Sequence, residues 1–390
     1  MVHIGLEILL KEHAILDKAT KIGLLCHPAS VDRTLVHASK RIFDLCGTSL
    51  TALLGPEHGL RGEAQDMEAV GRHVDRLTGL EVVSLYGFDE DSLTPAREVI
   101  SDLDILVADL QDVGARYYTY VWTLIRCLKV AGETDTKVVL CDRPNPIGGL
   151  RIEGPGVESG YESFVGGYDI AVRHGMTIGE LCQMVVSERG IDVDLWVVEM
   201  KGWRREMLFE DTGFPWVLPS PNMPTRETAL VYPGGCLVEA TQLSEGRGTT
   251  RPFEIMGADF IDPDLLAQTL NNMKLPGVLF RATYFQPTFQ KLAGVLCGGI
   301  QQHVIDADCY MPLMTGVAFL SAVRKLWPVE FQWREKPYEF VSEIPAIDLL
   351  SGSSFLREML ESNVSLREIC GSWADYEGEF AQRREPFLLY

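Results

Sequence analysis

Glu57, His58 and Arg61 follow a short apolar run, Leu50 to Leu54, that stops at Gly55-Pro56. Too short for an independent helix and bounded by turn residues, the run reads as a buried strand. Chemistry in parallel sheets gathers just beyond the strands' carboxyl ends, so Glu57 is placed as a general acid or base, or else as an exposed loop carboxylate. Cleaving a glycosidic bond requires a carboxylic acid to protonate the departing oxygen. It also requires a second group to activate water, act as nucleophile or hold the substrate's own nucleophile. Asp112 and Glu245, each in a loop with a nearby arginine, are candidates for that second group. Each also has a structural reading, Asp112 as a helix N-cap and Glu245 as an ion-paired loop residue.

Arg61, Arg116, Arg143 and Arg247 lie in the same loops. Guanidinium forks grip carboxylates at two points, so four of them suggest an anionic ligand, with one or two expected as clamps within the loops instead. Asn145 and Asn222 stand between prolines, where their amides could meet sugar hydroxyls or an acetamido group, or could close their own turns. Tyr117, Tyr118 and Tyr120 could stack on a sugar ring or pack the core.

Several chemistries lack their motifs. There is no phosphate-binding G-x-x-x-x-G-K-[ST] loop, no G-x-G-x-x-G after the first strand, and no H-E-x-x-H, C-x-x-C or G-x-S-x-G. No cofactor is expected. His58, His174 and Asp112 could meet at a metal after folding, but nothing in their spacing requires it.

The elements that must position these residues alternate. Strands are expected at Lys21 to Cys26, Leu50 to Leu54, Glu81 to Tyr86, Asp104 to Leu110, Lys137 to Cys141 and Val193 to Met200. Helices are expected from after Ser30 to about Cys46, near 94 to 101 and near 118 to 131. Another, from Thr177, has capping-box spacing and stops at Gly190. Such alternation implies a parallel sheet covered on both faces. The stretch from Trp216 to Phe253, rich in turn formers, reads as loops. Beyond it come a helix at 264 to 271, strands at 277 to 285 and 294 to 304, and helices at 311 to 326, 352 to 361 and 365 to 370. The expected class is α/β: a Rossmann-like parallel-sheet domain over 1 to 258, then a smaller α+β domain over 259 to 390.

The formal charge of −20 over 390 residues argues against nucleic-acid capture by general electrostatics. Nine cysteines without a paired spacing suggest reduced thiols and a cytoplasmic protein. The amino terminus does not read as a signal peptide, although a chain from which a leader had been removed would look the same. No apolar run is long enough to span a membrane. Oligomeric state is not legible.

Taken together, the motifs resemble the NamZ-like exo-β-N-acetylmuramidases. The resemblance runs through Gly55-Pro-Glu-His-Gly59 with Arg61-Gly62, Asp109-Leu-Gln-Asp-Val-Gly-Ala-Arg116 with Tyr118-Thr-Tyr120, and Asp142-Arg-Pro-Asn-Pro146. It continues through Arg173-His-Gly-Met-Thr177, Pro221-Asn-Met-Pro-Thr225, Ser244-Glu-Gly-Arg-Gly-Thr-Thr250 and Pro287-Thr-Phe-Gln-Lys291. It implies a dinucleotide-free Rossmann-like domain, a smaller C-terminal domain and a cleft between them. The implied activity is release of N-acetylmuramic acid from the non-reducing end of peptidoglycan fragments, with Glu57 as catalytic acid. The lactyl carboxylate would account for the arginines, and the acetamido oxygen is a possible nucleophile. His58, Gln111 and Thr249 join the arginines, asparagines and tyrosines as candidate ligands of this amino-sugar substrate. The rival readings are a metal-assisted amidase or esterase on an anionic wall fragment, and a muramic-acid-binding protein without turnover.

Overall fold

The computed structural model describes all residues except 63, 66, 67, 69, 70 and 72. The first 200 residues supply β1 (Ile22–Cys26), β2 (Leu50–Gly55), β3 (His73–Val74), β4 (Glu81–Ser84), β5 (Ile105–Asp109), β6 (Lys137–Cys141) and β7 (Leu195–Val198). They form one seven-stranded sheet in the order β3-β4-β2-β1-β5-β6-β7, parallel except where β3 runs against β4. The chain builds outward from β1 in one direction through β2 and β4. It then returns to β5 on the other side of β1 and builds through β6 and β7. The doubly wound, Rossmann-like arrangement expected from the strand and helix pattern is therefore present.

Side chains alternate across each strand, and both faces are covered. Ile22, Leu24, Val107, Val139 and Cys141 pack with Leu6, Leu9 and Ile42, which lie on helices Gly5–Lys11 and Ala38–Cys46. Leu25, Leu54, Leu106, Val138 and Leu140 pack on the other side with Leu124, Leu128 and Leu181 of helices Tyr120–Glu133 and Ile178–Arg189. Burial on both faces explains why these strands read as unbroken apolar runs. The capping box at Thr177 and Glu180 is formed, and Gly190 ends that helix in the left-handed region with φ 61°.

Two expectations are corrected. The helix expected after Ser30 begins only at Ala38, because Val31 bridges His37 and a turn held by the Asp32 carboxylate precedes it. The supposed loop region contains a helix, Arg226–Gly235, and a following 3-10 helix, Cys236–Ala240. The Thr225 side chain caps the first of these by accepting from the Thr228 amide. Its Pro233-Gly234-Gly235 end looks like a breaker in sequence but is a contact surface. A Cβ on Gly234 would lie 1.9 Å from the Pro312 carbonyl oxygen, and one on Gly316 would lie 2.3 Å from that of Gly234. Helix Pro312–Leu326 can therefore pack against it almost backbone to backbone.

The C-terminal region holds a three-stranded antiparallel sheet in which β10 (Cys297–Val304) lies between β8 (Ile255–Ala258) and β9 (Val278–Phe285). Helix Pro263–Asn272 packs against β9 and β10, and helix Pro312–Leu326 packs against that helix. The tail then returns to the large sheet: Tyr390 donates to Asp142 Oδ2 at 2.8 Å and the Leu389 amide to Glu180 Oε1 at 2.8 Å.

Candidate active site

β2 ends at Gly55, where a Cβ would come within 2.8 Å of the Leu60 amide nitrogen, so only glycine admits the tight reversal that follows. His58 and Gly59 take positive φ, 69° and 83°, and the turn points Glu57 inward at 3% exposure. Thr119, at the N-terminus of helix Tyr120–Glu133, does not cap that helix with its side chain. Its hydroxyl instead donates to Glu57 Oε2 at 2.7 Å. Glu57 Oε1 is buried and has no hydrogen-bond partner among the described residues. A native buried carboxyl oxygen without a partner usually meets water or a ligand.

Glu57 opens onto a narrow cavity of about 30 Å³ whose lining includes His58, Tyr117, Tyr118, Thr119, Tyr120, Ser220 and Asn222. Residues of the C-terminal half close it: Tyr232, Glu239, Arg247, Phe253, Tyr338 and Glu339. A row of rings joins the two halves. Tyr120 and Tyr118 are 4.8 Å apart by centroid, Tyr118 and Tyr232 5.7 Å, and Tyr232 and Phe253 4.9 Å. Arg247 lies over Phe253 at 5.2 Å. Burial pushes the phenols of Tyr118, Tyr120, Tyr232 and Tyr338 upward, so they remain hydroxyl donors throughout the physiological range. Tyr120 gives its proton to the Pro219 carbonyl at 2.6 Å and Tyr338 gives its own to Glu239 Oε2 at 2.7 Å. The cleft thus presents an unpartnered carboxyl oxygen, further buried carboxylates and a wall of aromatic edges and faces, the parts needed to seat a sugar and protonate its leaving oxygen.

The comparisons with known proteins agree with this architecture. The family model described as exo-beta-N-acetylmuramidase NamZ, N-terminal, matches residues 22–227, and the corresponding C-terminal model matches residues 230–390. The chain belongs to the NamZ family of exo-β-N-acetylmuramidases. By that membership it is a glycosidase. It is 43% identical over 389 residues to the peptidoglycan beta-N-acetylmuramidase NamZ of Bacillus subtilis strain 168, covering 100% of this chain and 91% of that one. Two crystal structures of DUF1343 family proteins from Bacteroides fragilis NCTC 9343 share the fold. One has a TM-score of 0.89 at 32% identity, the other 0.79 at 28%, each covering 100% of this chain and 99% of its own.

In this NamZ-family chain the two family models meet between 227 and 230, and the cleft draws on both. The sequence-based division at 258 falls at the end of β8, which pairs within the second sheet. Of the candidates read from sequence, the cleft gathers Glu57, His58, Tyr118, Tyr120, Asn222 and Arg247. His58 Nδ1 donates to the Ala64 carbonyl at 3.1 Å, and Asn222 Nδ2 donates to Gln65 Oε1 at 3.0 Å.

The remaining candidates lie outside its lining. Arg143 grips Asp109 through Nε at 2.6 Å and Nη2 at 2.8 Å, and Nη2 also donates to the Val31 carbonyl. Arg116 is fully buried and donates to the carbonyls of Pro155, Ile170 and Leu350. Arg61 pairs with Asp75. Gln111 donates to the carbonyls of Asp112 and Pro144, and Asn145 to that of Met176. Thr249 donates to the Gly246 carbonyl at 2.6 Å.

Asp112 is not an N-cap. Its Oδ2 accepts from the Gly114 amide at 2.6 Å and lies 3.6 Å from His174 Nε2. Among the described residues, no group of three or more His, Cys, Asp or Glu side chains is arranged to hold a metal. Glu245 pairs with Lys291 at 2.7 Å, and Lys291 also donates to the Val238 and Thr241 carbonyls, so this pair braces the segment carrying Glu239. Sequence reasoning missed Glu239, Tyr338 and Glu339. In Cys236-Leu-Val-Glu-Ala240 a single charge within an otherwise apolar run was the available signal.

Proposed function

We propose that this chain releases N-acetylmuramic acid from the non-reducing end of peptidoglycan fragments, with Glu57 as the general acid. The observation that carries the reading is the Oε1 of Glu57, without a hydrogen-bond partner among the described residues, in a cleft lined by both halves of the family fold. The activity named for the Bacillus subtilis relative supports the substrate class. In this reading Glu57 protonates the glycosidic oxygen while Thr119 holds its other oxygen in place. The tyrosines bear on the apolar face of the ring, and Asn222 meets a polar substituent. Arg247, alone among the four arginines singled out in the sequence, lines the cleft and faces the lactyl carboxylate. Arg61, Arg116 and Arg143 act within the fold instead.

The decisive variant is Glu57→Gln, which keeps shape but cannot donate the proton. Hydrolysis of a chromogenic β-N-acetylmuramide should fall by about 10² to 10⁴-fold while the thermal midpoint is retained. Near-normal turnover would remove Glu57 from the acid role. Unchanged wild-type turnover after dialysis against a chelator is expected, and its loss would favour the metal-assisted amidase or esterase. The nine cysteines, none in a disulfide, support work in a reducing compartment, and cell fractionation tests that placement. Among the described residues no helix is long and apolar enough to cross a membrane.

A further inference from the structure

A groove of about 670 Å³ opens on the C-terminal unit and shares no lining residue with the Glu57 cleft. Its base is one stripe of helix Pro312–Leu326, where Met314, Ser321 and Lys325 recur at helical spacing. Met314 and Lys325 are about 16 Å apart along the axis, some three turns of helix. Residues 273 to 276, which follow helix Pro263–Asn272, form one wall, and the short helix Leu366–Gly371 forms the other. Both of these helices pack on Pro312–Leu326 and leave the stripe between them.

The groove is apolar and lined by adaptable side chains: Met273, Met311 and Met314 stand with Leu275, Leu366 and Trp373. Methionine's unbranched thioether fits partners of varied shape. Three cations edge it. Lys274, Lys325 and Arg367 are exposed and have no ion-pair partner among the described residues. The carboxylates at the groove are turned inward instead. Glu153 binds Arg173 at 2.9 Å and the Leu313 amide at 3.1 Å, and Glu377 accepts the Gly154 amide at 2.7 Å. In a chain of net charge −20 the groove is a local reversal of sign, so it attracts an anionic partner that the rest of the surface repels.

An apolar base of three helical turns edged by unpaired cations complements a helix that is apolar on one face and acidic on the other. The helical walls offer an extended peptide no strand edge to pair with, whereas a helix satisfies its own backbone. A flat membrane surface would not reach Trp373, which is 5% exposed. We propose that this groove docks an acidic amphipathic helix of a partner protein. Its apolar side chains lie among the methionines and its carboxylates meet Lys274, Lys325 and Arg367. Docking there leaves the substrate cleft free, because the two share no residue.

The test uses the full chain and a set of fluorescein-labelled helical peptides. All carry glutamates on one face, and their other face is built from leucine, methionine, phenylalanine or tryptophan. Anisotropy titration should show saturable binding of at least one, weakening as salt is raised. The same peptide with glutamine for glutamate should bind about 10-fold more weakly. Lys325→Glu combined with Arg367→Glu should weaken the acidic peptide by about 10-fold or more. Met314→Asn should weaken it too while keeping its salt dependence. These variants should retain the thermal midpoint, since the altered side chains are exposed or half-buried.

Absence of saturable binding across the whole set would overturn the proposal. Equal affinity for the glutamate and glutamine peptides would do the same, as would an affinity unmoved by the paired charge reversal. Wild-type protein that ignores every peptide but joins phosphatidylglycerol vesicles, and loses them on charge reversal, would make the groove a lipid contact and remove the partner helix.

Discussion

Arg247 reaches Glu239 at 2.8 Å and lies over Phe253, so removing it should disturb two things that kinetics can separate. Loss of the hold on Glu239 should lower kcat on any aryl β-N-acetylaminosugar accepted. Loss of a charge-assisted contact to the lactyl group should raise KM for the muramide alone. At about 1.5–3 kcal/mol for a hydrogen bond to a charged group, Arg247→Ala should raise that KM by about 10- to 100-fold. Equal changes in KM for muramide and glucosaminide would remove the lactyl contact.

At this scale the sequence was only partly informative. Glu57 was legible because a buried strand and a Gly-Pro stop fix where its side chain emerges. The arginines could not be told apart in the sequence because a guanidinium's partner is set by tertiary structure. Arg143 meets an aspartate 34 residues away and Arg116 a carbonyl 234 residues away. Glu239 was hidden in an apolar run whose other members are buried core.

At the scale of elements, the close crossing of helices Arg226–Gly235 and Pro312–Leu326 leads directly into the segment carrying Glu239. Gly316→Ala places a methyl 2.3 Å from the Gly234 carbonyl oxygen. Overpacking of this kind should cost about 1–3 kcal/mol in denaturant unfolding and lower activity with it. Unchanged stability would show that the crossing tolerates a wider separation.

The loop after β1 makes a separate expectation about pH. His37 caps helix Ala38–Cys46 by accepting the Ser39 amide at Nδ1, and its Nε2 donates to the His27 carbonyl. His27 Nε2 accepts the Gln111 amide. Each ring is satisfied when neutral, and a second proton would face an N–H. Burial, followed by the nearby Arg143 for His27 and Arg61 for His37, lowers the two to about 3 and about 4.

Their contribution to stability is present above the unfolded value near 6.5 and is lost as pH falls toward those lowered values. Burial raises Asp142 to about 7, so its contribution is present below 3.8 and is lost as pH rises through 7. It opposes the histidines between 4 and 6.5, which makes the difference between variant and parent the informative quantity. His37→Asn keeps a capping side chain and should remove one proton's worth of slope there, about 1.4 kcal/mol per pH unit. Parallel stability curves for the two proteins would contradict the neutral His37.

For the whole molecule, the cleft exists because two units share it and the chain fastens them together. Arg384 donates to the carbonyls of His174 and Gly175, and Tyr390 reaches Asp142 at the end of the large sheet. The doubly wound sheet was legible because strands buried on both faces must be apolar throughout. The way the second unit starts was not, because Pro233-Gly234-Gly235 reads as a turn unless the partner helix that needs its bareness is known. The aromatic wall of the cleft was likewise only half legible: Tyr118 and Tyr120 stand in a recognisable loop, whereas Tyr232 and Phe253 fall in the stretch that reads as loops.

The most direct measurement is release of chromophore from an aryl β-N-acetylmuramide, beside the matching β-N-acetylglucosaminide, by the wild-type chain and by Glu57→Gln. Turnover of the muramide in preference to the glucosaminide, abolished in the folded Glu57→Gln variant, is the expected result. Muramide that is bound but left intact by the wild type, or cleaved equally by both proteins, would contradict an acid-catalysed muramidase centred on Glu57.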